Sequence, residues 1–304
     1  MKHKLIIIGS GPAGYTAGIY AARAKLEPLI LAGEIHGGQL MNTTVVENWP
    51  GSKAGIMGPE LMREMREQAQ KFGAEIIDKN VTKVNSTSEV KEVSTSEVDY
   101  QAEAVIITTG ASSLRLGVPG EKEFLGRGVA TCAVCDAPFY KEKIAVVVGG
   151  GDAACEDSLA LTKFAKQVYL VVRRDALRAS KIMAERAIGH PKIKILWNTQ
   201  VKQILGGQKV EAVEFTNGEK LTTDGVFLAV GHQPATEIFK GQIDLDFKGY
   251  VLTGLNKDYP TMTGVAGVFA AGDVVDHRYK QAITAAGMGC MAALDAEKWL
   301  ENNK

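Results

Sequence analysis

Cys132 and Cys135 stand three residues apart, and Asp136 follows the second thiol directly. Two thiols at this spacing close a disulfide only where the backbone turns, because an extended chain would hold their Cα atoms about 10 Å apart. A carboxyl beside the pair can relay the protons that a dithiol gains or loses. Half of a zinc site is the competing use of such a pair. Structural zinc takes four ligands, usually from a second pair at comparable spacing, whereas the other thiols, Cys155 and Cys290, stand alone. The reading is a redox-active disulfide, with no metal.

Glycine-rich turns flank this pair. Residues 5–8 read as a buried parallel strand that runs into Gly9-Ser10-Gly11-Pro12-Ala13-Gly14 and then into a helical pattern over residues 15–24. The glycines give a tight turn, close backbone approach to a pyrophosphate, and close packing of helix on strand. The pyrophosphate then lies at the helix N-terminus, where free N–H groups and the helix dipole favour anions. An acidic residue for the ribose is expected about twenty positions on. The second strand, residues 28–31, is followed by Gly33 and Glu34, and Glu34 fits either that role or a solvated loop carboxylate.

A second fingerprint follows the strand at residues 144–148: Gly149-Gly150-Gly151-Asp152-Ala153-Ala154, with Ala154 in the third glycine position. The next strand, residues 168–172, ends in Arg173-Arg174, with Arg178 beyond. An NAD site would carry Asp or Glu at that strand end. Arginines instead suit a 2′-phosphate, which points to NADP. Farther on, residues 268–271 form a strand ending in Gly272-Asp273, and residues 281–300 have helical spacing. The dipole of such a helix would stabilise negative charge on a reduced flavin, and Asp273 suits its ribityl chain. Ile283, Met288, Met291, Leu294 and Leu300 form an apolar stripe there that is expected to be core, with Cys290 buried within it and Cys155 buried on its own helix.

At 304 residues, 45% hydrophobic and with 33 glycines, the chain suits a two-domain globular α/β protein. Balanced charge, 35 basic against 35 acidic residues, argues against a nucleic-acid partner. The apolar run at residues 5–8 is too short for a signal peptide, and no run approaches a membrane span. A cytoplasmic location follows, where a Cys-x-x-Cys is more often catalytic than structural. Polar residues 80–101 alternate as a small antiparallel meander. With flavin-type elements at both ends, the central domain reads as an insertion, with crossings near residues 117–120 and 241–244.

These stretches closely resemble the low-molecular-weight thioredoxin reductases along essentially the whole chain. The match also includes Gly37-Gly38-Gln39-Leu40, Val46-Glu47-Asn48-Trp49-Pro50-Gly51, Thr108-Thr109-Gly110-Ala111, Gly231-His232-Gln233-Pro234 and Tyr279-Lys280-Gln281-Ala282-Ile283. The resemblance implies a homodimer with two Rossmann-like three-layer ββα nucleotide-binding domains. The NADPH domain, residues 118–243, carries the Cys-x-x-Cys and is inserted in a discontinuous FAD domain, residues 1–117 and 244–304. FAD contacts would come from Gly9, Ser10, Gly11, Pro12, Ala13, Gly14, Gly33, Glu34, Gly38, Gln39, Leu40, Asn48, Thr109, Gly110, Ala111, Gly272, Asp273, Lys280, Gln281, Ala282 and Ile283. NADPH contacts would come from Gly150, Gly151, Asp152, Ala153, Ala154, Arg173, Arg174, Arg178 and His232, the last of which also reads as a turn histidine.

By the same resemblance Cys135 would lie against the flavin, Cys132 would attack the disulfide of a thioredoxin-like partner, and Asp136 would be the acid and base. The central domain would rotate between half-reactions. Two departures from the family pattern are Ala235, where many relatives have Asn, and Ala137-Pro138, where Gly-Phe is common. Reduction of a peroxidase or another thioredoxin-like partner is the nearest alternative. A nucleotide-binding redox sensor is the alternative from a different class.

Overall fold

The computed structural model describes residues 2–303. The chain opens with β1 (Lys2–Ile8), α1 (Pro12–Arg23), β2 (Leu29–Leu31), α2 (Gly58–Lys71) and β3 (Glu75–Ile77), then β4 (Lys83–Asn85), β5 (Lys91–Ser94) and β6 (Asp99–Ile107). The middle holds β7 (Val129–Ala130), α3 (Ala133–Asp136), β8 (Ile144–Val148), α4 (Asp152–Leu161), β9 (Gln167–Val171), α5 (Lys181–Ile188) and β10 (Ile193–Leu196). After β11 (Val201–Gly206), β12 (Val210–Phe215), β13 (Lys220–Thr222) and β14 (Gly225–Leu228) come β15 (Val268–Ala270) and α6 (Ala282–Asn302).

Two compact units result, one made of residues up to Ser112 and from Gln233 onward, the other of Ser113–His232. In the first, one seven-stranded sheet runs β3-β2-β1-β6-β5-β4, and β15 adds to β6. The buried parallel stretches, the last four residues of β1 and of β6, are continuous apolar runs, as strands covered on both faces must be. β6 explains why the unit is discontinuous. Its first residues pair antiparallel with β5, completing the expected meander, while Val105, Ile106 and Ile107 pair parallel with Val268, Phe269 and Ala270. The second unit has a five-stranded parallel sheet, β7-β14-β8-β9-β10, and a separate antiparallel sheet of β11, β12 and β13.

The chain passes between the units earlier than residues 117 and 243. Glu121, almost fully buried, takes the N–H groups of Leu116, Gly117 and Val118, so the expected hinge belongs to the second unit. On the return, Phe239 and Ile243 bury in the apolar core of the first unit with Val84 and Val93. Burial of these two residues outweighs the glycine signal at Gly241.

The core of α6 also differs from the expected stripe. Ile283, Met291 and Leu294 are exposed and Cys290 is half-buried, whereas Ala285, Ala286, Gly289, Ala292, Ala293, Ala296 and Leu300 are buried. The reason is close approach to α1: a Cβ on Gly289 would collide with the backbone carbonyl of Ala13. Small side chains on this face let two helices meet backbone to backbone. Cys155 is fully buried, as expected.

Candidate active site

In the first unit the turn between β1 and α1 forms one wall of a cleft of about 230 Å³. Gly9 adopts φ +114°, a left-handed conformation open to glycine, and a Cβ there would strike the carbonyl of Thr108. Gly14 packs α1 against the same turn, because a Cβ would collide with the Gly9 carbonyl. Gly11 is different: space beyond its Cα is open. As N-cap of α1 it supplies no side-chain acceptor, and the first turn carries no acid, so the helix N-terminus remains available to an anion.

Ser10 fastens this turn, donating to Ala32 O at 2.6 Å and accepting from Gly37 N at 2.9 Å. Thr108 holds it from β6 by donating to Ile8 O at 2.9 Å. The N-terminus of α6 closes the far side with a capping box between Gln281 and Thr284, and Asn48 donates to Gln281 Oε1 at 3.3 Å. Asp273 and Lys280 both line the cleft. Burial pushes Asp273 up to about 6, aided by Asp276 and opposed by Lys280. Burial lowers the Lys280 ammonium from its usual range, opposed by Asp273 and Asp276.

Of the residues expected to hold FAD, the cleft gathers Gly9, Ser10, Gly11, Pro12, Ala13, Gly38, Gln39, Leu40, Thr109, Gly110, Ala111, Asp273, Lys280, Gln281 and Ala282. Gly14, Gly33, Glu34, Asn48, Gly272 and Ile283 lie outside its lining. Glu34 is exposed, and its backbone N–H donates to Asn80. Thr108, Ala32, Ile35, Ser112, Ala271 and Ala285 line the cleft without having been expected there. Thr108 had a signal, as the first polar residue after a buried strand. The open Gly11, the uncapped helix and a lining of both polar and apolar residues fit a dinucleotide such as FAD.

The second unit repeats the device. Gly149 has φ +158°, and a Cβ there would strike Ala229 O and the Cβ of Ala154. Gly151 is the uncapped N-cap of α4, with open space beyond its Cα. Asp152 does not fill the helix end, because its carboxylate accepts from Ser180 N at 2.9 Å and Ser180 Oγ at 2.8 Å. Arg178 N donates to Gly150 O at 2.6 Å, so the arginine loop is tied by backbone to the fingerprint turn. Arg173, Arg174 and Arg178 are exposed at the end of β9 and in the loop after it. Ala153 is exposed and Ala154 buried on α4, and His232 is the last residue of this unit.

Cys132 and Cys135 form a disulfide with Cα atoms 5.4 Å apart, against about 10 Å for an extended segment. A single helical turn, α3, makes the difference. Cys132 is its N-cap, and Cys132 Sγ accepts from Cys135 N at 3.2 Å. A sulfur at a helix start is placed where a thiolate is stabilised. Burial pushes the Asp136 carboxyl up to about 6, so it exchanges a proton in the range that thiol chemistry uses.

A redox disulfide thus shares one chain with two dinucleotide turns, and residues 3–289 match the pyridine nucleotide-disulphide oxidoreductase family. The chain belongs to this family. A thioredoxin reductase of Streptomyces clavuligerus is 54% identical over 97% of this chain and 93% of its own length. A bifunctional thioredoxin reductase/thioredoxin of Mycobacterium leprae is 51% identical over 98% of this chain and 66% of its own length. Among solved structures, the thioredoxin reductase from Giardia duodenalis aligns with a TM-score of 0.92 at 43% identity, covering 99% of each chain. Membership in the pyridine nucleotide-disulphide oxidoreductases accounts for the two Rossmann-like units and for the disulfide as the electron-accepting group. No metal-binding cluster and no helix long and apolar enough to cross a membrane occur among the described residues.

Proposed function

We propose that the chain is an NADPH-dependent thioredoxin-disulfide reductase. The observation that carries this reading is the Cys132–Cys135 disulfide on a helical turn of a unit that also holds a dinucleotide fingerprint with arginines at the ribose position. FAD is held by the discontinuous unit and NADPH by the central one. Bound between these residues, FAD would supply two-electron transfer from NADPH to the protein disulfide. The disulfide takes up those electrons and two protons to become a dithiol, with Asp136 exchanging protons at its carboxyl. Cys132 as thiolate then attacks one sulfur of the partner disulfide, and Cys135 displaces the partner from the mixed disulfide. The Cys132–Cys135 bond reforms and the partner leaves as a dithiol.

The partner is a thioredoxin-type protein. The Mycobacterium leprae relative, named for both activities, supports this pairing. The working form is a cytoplasmic homodimer, and the exposed apolar side chains of Tyr20, Met291 and Leu294 on α1 and α6 would suit contact with a second copy. The central unit turns between half-reactions, since nicotinamide and disulfide must use the flavin in succession. NADPH oxidation with thioredoxin present and omitted tests the activity. Turnover that is indifferent to a panel of thioredoxins would refute it. Cys135→Ser should trap a covalent thioredoxin complex through Cys132, and trapping by Cys132→Ser instead would reverse the thiol roles.

A further inference from the structure

Between β15 and α6 the chain runs through a loop, residues 271–281, that gathers around one carboxylate. Asp276 Oδ1 accepts from Arg278 N and from Tyr279 N, each at 2.8 Å, and Oδ2 accepts from Lys280 N at 2.9 Å. The Asp276 N–H in turn donates to Gly272 O at 2.9 Å, so both ends of the loop meet at this residue. Lys280 has φ +47° and directly precedes Gln281, the N-cap of α6. Among the described residues it is the one non-glycine residue in the left-handed region that lines the cleft of the first unit. A lysine resists this conformation because its Cβ crowds the following carbonyl oxygen, and it persists there only where its surroundings impose it. The side chain is held as well: Nζ donates to His277 O at 2.5 Å and lies 5.4 Å from the centre of the Tyr250 ring. Asp276 itself lies outside the cleft lining.

We propose that Asp276 is a positioning residue of the flavin cleft: by taking the Lys280 N–H it holds that residue in its left-handed conformation and so fixes where Lys280, Gln281 and the start of α6 stand toward FAD. The inference rests on the reading of this cleft as the FAD site. Hydrogen bonds to an ionised acceptor are stronger than neutral ones, and three of them on one carboxylate oppose the steric cost at Lys280. Once the Lys280 link is broken, that residue is free to return to negative φ. The peptide that follows then turns with it, and Gln281 and the α6 N-terminal amides lose their place. Asp276 also acts through space, since its charge helps to raise the Asp273 carboxyl in the cleft. That second route does not pass through the backbone of residue 280, so a substitution there separates the two.

The test is the rate at which FAD leaves the full-length holoenzyme, read from flavin released into the filtrate at timed intervals after dilution. Asp276→Asn keeps one carbonyl oxygen for Arg278 and Tyr279 and sets an amide NH2 against the Lys280 N–H, so it breaks that link alone. It should speed FAD release by about tenfold or more. Lys280→Gly removes the steric resistance, because glycine enters the left-handed region freely. Adding Asp276→Asn to Lys280→Gly should therefore speed release by less than about threefold, a coupling that the through-space route would not produce. If Asp276→Asn purifies without flavin, the two glycine variants carry the test on the same threefold criterion. Release from Asp276→Asn within about twofold of the unaltered enzyme, or an equal effect in both backgrounds, overturns the inference and leaves the cleft reading standing. Gly11→Trp fills the open space beyond that Cα and should bind little FAD. Full FAD retention by folded Gly11→Trp overturns the cleft reading and the inference together.

Discussion

Replacing Arg173 and Arg174 by glutamine should convert the nucleotide preference without harming the nucleotide cradle. Both guanidiniums are exposed at the end of β9, so each is solvated before NADPH binds and should contribute near the low end of a charge-assisted hydrogen bond, about 1.5 kcal/mol. Together they amount to about 3 kcal/mol, or roughly 100-fold in kcat/KM for NADPH. NADH lacks the 2′-phosphate and should change by no more than about twofold. The structure gives the reason for that contrast. The loop after β9 is anchored by Arg178 N on Gly150 O and by Asp152 on Ser180, none of which uses the altered side chains. Steady-state kinetics with both nucleotides, at fixed ionic strength and saturating thioredoxin, give the two ratios directly. Equal losses with NADPH and NADH would mean that the substitutions disturbed the turn, and an NADPH-to-NADH preference unchanged within threefold would refute the phosphate assignment.

Asp136→Asn should lower thioredoxin-dependent kcat by about 10²-fold or more and abolish any kinetic limb near pH 6. The same variant should be more stable above pH 6. The folded carboxyl is raised from 3.8 to about 6, so stability is present at low pH and is lost as pH rises across that window, by about 3 kcal/mol in all, and urea midpoints at pH 4 and 8 measure the difference. Gly289→Ala should drive α6 away from Ala13, costing about 1–3 kcal/mol and lowering the FAD content of purified protein; full flavin occupancy and an unchanged melting temperature would contradict the close packing inferred for these helices. An engineered disulfide tying the two units should leave FAD bound and preserve one half-reaction while stopping turnover, and full turnover by a verified cross-linked enzyme would dismiss rotation.

Elements that rest on local rules were legible in the sequence. The strand at residues 144–148 coincides with β8, and the fingerprint turns fall where their glycines put them, because a Cβ at Gly9, Gly14 or Gly149 would strike a backbone carbonyl. The redox turn was legible for a related reason: two thiols three residues apart constrain the backbone between them, and α3 meets that constraint. The glycines and the α6 N-terminus that line the cleft of the first unit stand out in the sequence, whereas Ile35 enters it from a loop and Ser112 from the short strand Ala111–Ser113 with no pattern to announce them.

What escaped the sequence depends on distant pairs. On α6 the large apolar residues looked like the core, yet the inward face is alanine and glycine, because the partner is a second helix at backbone distance rather than a layer of side chains. Hydrophobicity ranks Met291 above Gly289; the geometry of α1 reverses them. The crossings between units moved for a comparable reason, since the burial of Glu121, Phe239 and Ile243 outweighs glycines that alone suggest hinges.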